Sequence, residues 1–144
     1  MRWTFAAALG FNWLVGGTDG HAKNYSILHG AGGRVRLAPF YDLASVLPYE
    51  GFADADLKLS MKYGRTYRLA AIDREAWRQV ARELRLRPEE LLRRLRQMAE
   101  ALPERVQAIG AQVVADGFHF PVVDRLVDVL ARRARFCLAV LGGS

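Results

Sequence analysis

The sequence predicts a mainly α fold: a helical bundle that carries one small β-hairpin. Three observations predict it. From Asp73 onward, apolar residues recur every three or four positions with little interruption. Residues 2–15 show the same spacing at the other end of the chain. Between them, two short apolar runs flank a glycine-rich stretch. At 144 residues, 51% apolar and 25% charged, the chain has the size and composition of one domain that buries its own core.

Trp3, Ala6, Ala7, Leu9, Gly10, Trp13 and Leu14 form a wide apolar face, so residues 2–15 read as a buried helix. Gly16-Gly17 ends that helix and frees the backbone for a loop over residues 16–24. Residues 25–28 and 34–37 flank His29-Gly30-Ala31-Gly32-Gly33 and read as the hairpin. Pro39 closes its second strand. Residues 44–72 lack a clear period, because Pro48, Gly51 and Gly64 interrupt it; 57–62 read as a short strand. Asp73 is a candidate N-cap for a helix over 74–86. Pro88, Glu89 and Glu90 suit the first turn of the next helix. That helix is expected to kink or restart at Pro103 and to run to Asp116-Gly117. A last helix covers about 121–141 and stops at Gly142-Gly143.

Cys137 is the one cysteine, so no internal disulfide forms, and its apolar neighbours make it a small buried hydrophobe. This fits a reducing cytoplasm. The apolar start is broken by Asn12 and carries a single arginine, which argues against an export signal. No stretch approaches the roughly 20 apolar residues of a membrane span. The net charge of +6 comes mainly from arginine. Arg82, Arg85, Arg87, Arg93, Arg94 and Arg96 crowd one junction; they suit either a solvated helix face or contact with nucleic-acid phosphates.

The chemistry concentrates in Asp19-Gly20-His21-Ala22-Lys23-Asn24 and in Asp42, which the hairpin carries back toward Asn24. The Asp19 to Asn24 spacing is the D-x-x-x-x-N of protein-kinase catalytic loops. Asp19 would orient and deprotonate a hydroxyl nucleophile. Asn24 and Asp42 would supply hard oxygen ligands to magnesium, with phosphates and water completing the ion's shell. Lys23 could neutralise phosphate charge, and His21 could bond to nucleotide or to loop backbone. An isolated Thr18-Asp19-Gly20 would be ordinary turn chemistry; Asn24 and Asp42 change that weighing. No cluster of His, Cys and Asp has zinc-ligand spacing.

Phe11-Asn12-Trp13-Leu14-Val15-Gly16-Gly17-Thr18-Asp19-Gly20-His21-Ala22-Lys23-Asn24-Tyr25-Ser26, together with Leu37-Ala38-Pro39-Phe40-Tyr41-Asp42-Leu43, resembles the C-terminal lobe of HipA-family kinases. These are the toxins of HipBA-type toxin–antitoxin systems. The resemblance implies a serine/threonine protein kinase fold over residues 1–144, related to the phosphoinositide-kinase branch. It makes Asp19 the catalytic aspartate, and Asn24 and Asp42 the Mg2+ ligands. It lines the ATP site with His21, Ala22, Lys23, Asn24, Tyr41, Asp42, Leu43 and Ala44. It further implies protein substrates such as aminoacyl-tRNA synthetases, a role in persistence, a small DNA-binding antitoxin as partner, and operator-DNA contact at Arg82 and Arg85.

The family's N-terminal lobe, with its phosphate-clamping loop and strand lysine, is not recognisable in these residues. The chain is therefore expected to bind ATP weakly alone and to transfer phosphate at no useful rate, either as a fragment or as one part of a split kinase completed by a separately encoded N-terminal lobe. A catalytically silent module that engages an antitoxin or operator DNA is the competing expectation. An apolar wall including parts of the hairpin and Tyr41 is expected to be exposed.

Overall fold

The computed structural model describes residues 1–51 and 56–142. Among them the elements run α1 (Arg2–Val15), β1 (Ile27–His29), β2 (Val35–Leu37), β3 (Lys58–Tyr63), β4 (Thr66–Arg68), α2 (Arg74–Glu83), α3 (Pro88–Ala115) and α4 (Pro121–Gly142). The fold is mainly helical, as the apolar periodicity predicts, and carries two separate antiparallel hairpins where one was expected. Gly143, expected to help end the last helix, lies outside the described residues.

α1 is buried along most of its length because small and apolar side chains cover nearly all its faces. It ends where Gly16 adopts a left-handed conformation (φ 64°) and bonds back to the Asn12 carbonyl. Leu47 packs so closely on Gly16 that an added Cβ would lie 2.7 Å from its Cγ. Conformation and space both demand glycine here. Beneath α1, Trp77 meets the Trp13 ring edge-on at 5.4 Å and the Tyr63 ring at 5.3 Å. The Tyr63 hydroxyl donates to the Leu9 carbonyl at 3.1 Å, and burial raises its pKa.

β1 pairs with β2 in the register Ile27↔Leu37, Leu28↔Arg36, His29↔Val35. The first strand starts two residues later than the apolar run predicts, because Tyr25 packs its ring edge-on against Phe5 of α1. β3 matches the strand expected at 57–62, but its partner β4 was not foreseen.

Asp73 caps α2, accepting a hydrogen bond from the Ala76 amide at 2.7 Å. α2 stops short of the expected 86. The Arg85 amide bonds to the Arg82 carbonyl and the Leu86 amide to the Ala81 carbonyl, a Schellman ending with Arg85 at φ 54°. Of the two alternatives expected at Pro103, the restart does not occur: one continuous helix, α3, passes through it. Pro103 has no N–H to give the Ala99 carbonyl, and the tertiary packing of Leu95, Ala99 and Leu102 outweighs that loss.

α3 and α4 lie antiparallel. Gly110 faces Val127 and Val123 near one end, and Arg96 reaches Gly142 near the other. Leu130, Ala134, Cys137 and Leu141 of α4 enter the core. Arg133, also buried, donates to the Trp13 carbonyl at 3.1 Å, and its guanidinium lies 5.1 Å from the Phe136 ring centroid. α4 thereby caps a carbonyl in the last turn of α1, the turn that carries the site loop.

Candidate functional site

Residues 16–24 leave α1 as a loop tied down at several points. The Gly17 amide bonds to the Asn12 carbonyl at 2.8 Å. The Thr18 carbonyl accepts from both the amide (3.1 Å) and the hydroxyl (2.6 Å) of Ser60 on β3. The His21 amide is shared between the Asp19 carbonyl at 2.8 Å and the Asn24 Oδ1 at 3.1 Å. Ala22–Asn24 then form a single 3-10 turn, with Asn24 buried. A short turn with reciprocal contacts between its first and last residues holds Asn24 in one orientation.

The hairpin returns Asp42 to Asn24, whose Nδ2 donates to Asp42 Oδ2 at 2.8 Å. On the other side, His21 Nε2 lies 3.8 Å from Asp19 Oδ1. Asp19, His21, Asn24 and Asp42 therefore form a connected series of contacts. The second segment is fastened independently: the Tyr41 hydroxyl donates to the Lys23 carbonyl at 3.0 Å and lies 3.2 Å from Ser26 Oγ. Two direct links, Asn24 to Asp42 and Lys23 to Tyr41, thus join residues 21–24 to residues 41–44, while among the described residues no such link is made by His21, Ala22, Leu43 or Ala44. Asp42 has φ 57°, a left-handed conformation for a non-glycine residue.

Asp19 and Asp42 are exposed, as are Lys23, Ala22, Leu43 and Ala44. Ile27 and Val35 of the hairpin and Tyr41 and Leu43 on either side of Asp42 are each more than two-fifths exposed, as expected of the hairpin and Tyr41. No three His, Cys, Asp or Glu side chains among the described residues are grouped to hold a metal. The site instead offers one amide and one carboxylate, the donors suited to a hard cation that keeps several waters. The 2.8 Å contact is made by the amide nitrogen: Asn24 Nδ2 faces Asp42 Oδ2, while Oδ1, the oxygen that would serve as a ligand, accepts from the His21 amide. The residue types suit a hard cation once the Asn24 amide presents its oxygen in place of its nitrogen.

Arg82 and Arg85 do not join this group. They sit at the end of α2, both exposed, and Arg82 Nη1 is paired with Glu75 Oε1 at 2.9 Å.

The sequence model of the HipA-like C-terminal domain matches residues 2–106. The chain belongs to the HipA-like C-terminal domain family. The matched span contains the whole site and excludes α4. In Sinorhizobium fredii, the protein named Putative kinase Y4mE is 31% identical over 129 residues, which are 87% of this chain and 29% of that protein. Putative kinase Y4dM of the same organism is 27% identical over 130 residues, 90% of this chain and 29% of that one. Among solved structures, a chain from the Shewanella oneidensis MR-1 toxin–antitoxin complex of HipA, HipB and operator DNA superposes with a TM-score of 0.80. It is 26% identical, and the match covers 98% of this chain and 32% of that one. This HipA-like domain therefore spans about three-tenths of the length of these relatives.

Residues that support the site without chemistry of their own escaped the sequence. Ser60 and Tyr25 read as a strand residue and a hairpin residue. Asn12 carries no role in the sequence reading beyond interrupting an apolar helix and belonging to the stretch that bears the resemblance, although a lone amide inside a buried helical face is itself the signal.

Proposed function

We propose that this HipA-like domain carries the catalytic centre of an ATP-dependent kinase that phosphorylates a serine or threonine hydroxyl of a protein. The observation that carries this reading is the Asn24–Asp42 contact at 2.8 Å, with Asp19 linked to it through His21. Asp19 would accept the hydroxyl proton while the hydroxyl oxygen forms its bond to the γ-phosphorus. The bond from that phosphorus to the β–γ bridging oxygen breaks, and ADP leaves. Asn24 and Asp42 would hold Mg2+, which supplies charge neutralisation to the phosphates. Residues 21–24 and 41–44 would line ATP, with Lys23 available to a phosphate oxygen and the exposed apolar side chains available to the base.

A second reading is favoured by the structural neighbour, which comes from a complex with an antitoxin and operator DNA. In it, the domain serves as a cytoplasmic docking unit for a small antitoxin or for DNA, with Arg82 and Arg85 as candidate phosphate contacts.

Calorimetric titration of the chain with ATP separates the two. The kinase reading expects Mg2+-dependent binding that weakens at least tenfold in Asn24→Leu and survives in Asp19→Asn. ATP binding that ignores magnesium, or that is equal in Asn24→Leu and the native chain, would rule it out.

A further inference from the structure

We infer that Asn12 is a positioning residue: its buried amide is the post around which the Asp19 loop is wound, and it joins that loop to the Asp42 segment. The inference rests on the kinase reading for its functional consequence, but its geometry stands on separate contacts. Asn12 lies in α1 and is buried. Its carbonyl takes the amides of both Gly16 and Gly17, turning the chain out of the helix. Its side chain then fills the inside of the loop. A Cβ added at Gly17 would lie 2.6 Å from Asn12 Oδ1, and one added at Gly20 would collide with Nδ2. Neither glycine has a left-handed φ, so close approach to this amide, and not backbone conformation, excludes a side chain at both positions.

The same amide reaches the second segment. Asn12 Nδ2 donates to the Tyr25 hydroxyl at 3.1 Å. Burial raises the pKa of that hydroxyl, with the Asn12 hydrogen bond opposing, so it is a neutral partner at physiological pH. The Tyr25 ring meets Phe5 of α1 edge-on at 4.9 Å and Phe40 at 6.1 Å. Phe40 is two residues before Asp42. The Gly17 position also faces the Ala44 carbonyl, 3.3 Å from where its Cβ would stand. Asn12 therefore sits beneath the place where the two segments bearing Asp19, Asn24 and Asp42 converge. An apolar side chain of equal size fills the space but offers nothing to the Tyr25 hydroxyl.

The test compares Asn12→Leu, Tyr25→Phe and Leu141→Ala, the last a buried position at the far end of α4 chosen to lower the melting temperature by other means. Two quantities are read on each folded protein: Mg2+-dependent ATP affinity and peptide-resolved amide hydrogen exchange over residues 16–24. Asn12→Leu should weaken ATP binding about tenfold and speed exchange in the loop by a similar factor, with α3 and α4 unchanged. Tyr25→Phe should give a smaller shift of the same kind. Leu141→Ala should leave affinity and loop exchange within twofold despite its lower melting temperature. Unchanged affinity and loop exchange in Asn12→Leu would overturn the inference. If the native chain alone binds no ATP, loop exchange alone decides the role of Asn12.

Discussion

Asp42 combines a charge-assisted hydrogen bond with a left-handed backbone, and the two effects separate by substitution. Asp42→Ala removes the acceptor of Asn24 Nδ2 while leaving a side chain at φ 57°. Losing a hydrogen bond to a charged group costs about 1.5–3 kcal/mol, and the exposed carboxylate places this case near the lower end, at about 1.5 kcal/mol. Asp42→Gly loses the same bond but relieves a left-handed conformation worth about 1 kcal/mol to a residue with a Cβ. The glycine variant should therefore be only about 0.5 kcal/mol below the native chain. For a domain of this size, about 1.5 kcal/mol is a fall of roughly 5 °C in Tm. Urea unfolding with and without Mg·ATP reads both halves of the argument. At a nucleotide concentration ten times its Kd, the native chain should gain about 1.4 kcal/mol, and neither variant should. If the alanine and glycine variants are equally stable, the strain argument is wrong. If either keeps the full nucleotide gain, Asp42 is not a ligand.

Two further outcomes follow from the scaffold. Glu90 accepts hydrogen bonds from Arg93 and Arg94, which hold its pKa down to about 2 from an ordinary 4.5. Its contribution is complete above pH 4.5 and lost as pH falls toward about 2, so Glu90→Gln should flatten the urea midpoint across that window, most visibly at low salt. A slope unchanged by Glu90→Gln would show that other carboxylates set it. Tyr63→Phe should cost about 1 kcal/mol in urea unfolding, because the Leu9 carbonyl keeps its place in the helix while losing one donor. A variant as stable as the native chain would mean that the buried hydroxyl contributes nothing.

The sequence disclosed what is written in periodicity and spacing. α1 announced itself through its apolar spacing and its Gly16 ending. The series Asp19, Asn24, Asp42 was legible because five residues of loop and a short hairpin leave few places for the second carboxylate to go. Endings that break the usual residue preferences were not legible. Arg85 occupies the left-handed position where glycine is expected, so Leu84 and Leu86 continued the apolar pattern past the true end of α2. At the end of α3, Gly117 occupies the corresponding position, and the end was foreseen. β4 is three residues long, too short for alternation to register, and is fixed by pairing with β3 across the turn at Gly64. At Pro103 the expected restart does not occur, because burial of Leu95, Ala99 and Leu102 in the preceding turns overrules a local penalty. Asn12 is the instructive case, since its meaning depends on what the chain does eight and thirteen residues later.

The buried guanidinium of Arg133 gives the fold a timetable. It caps a carbonyl 120 residues earlier in the chain, at the foot of the loop that bears Asp19. At about 5–20 residues per second of synthesis, Trp13 waits on the order of ten seconds for that cap to be made. During translation the loop that bears Asp19 therefore emerges before the side chain that braces it, and a nascent chain cut short before α4 would lack the brace.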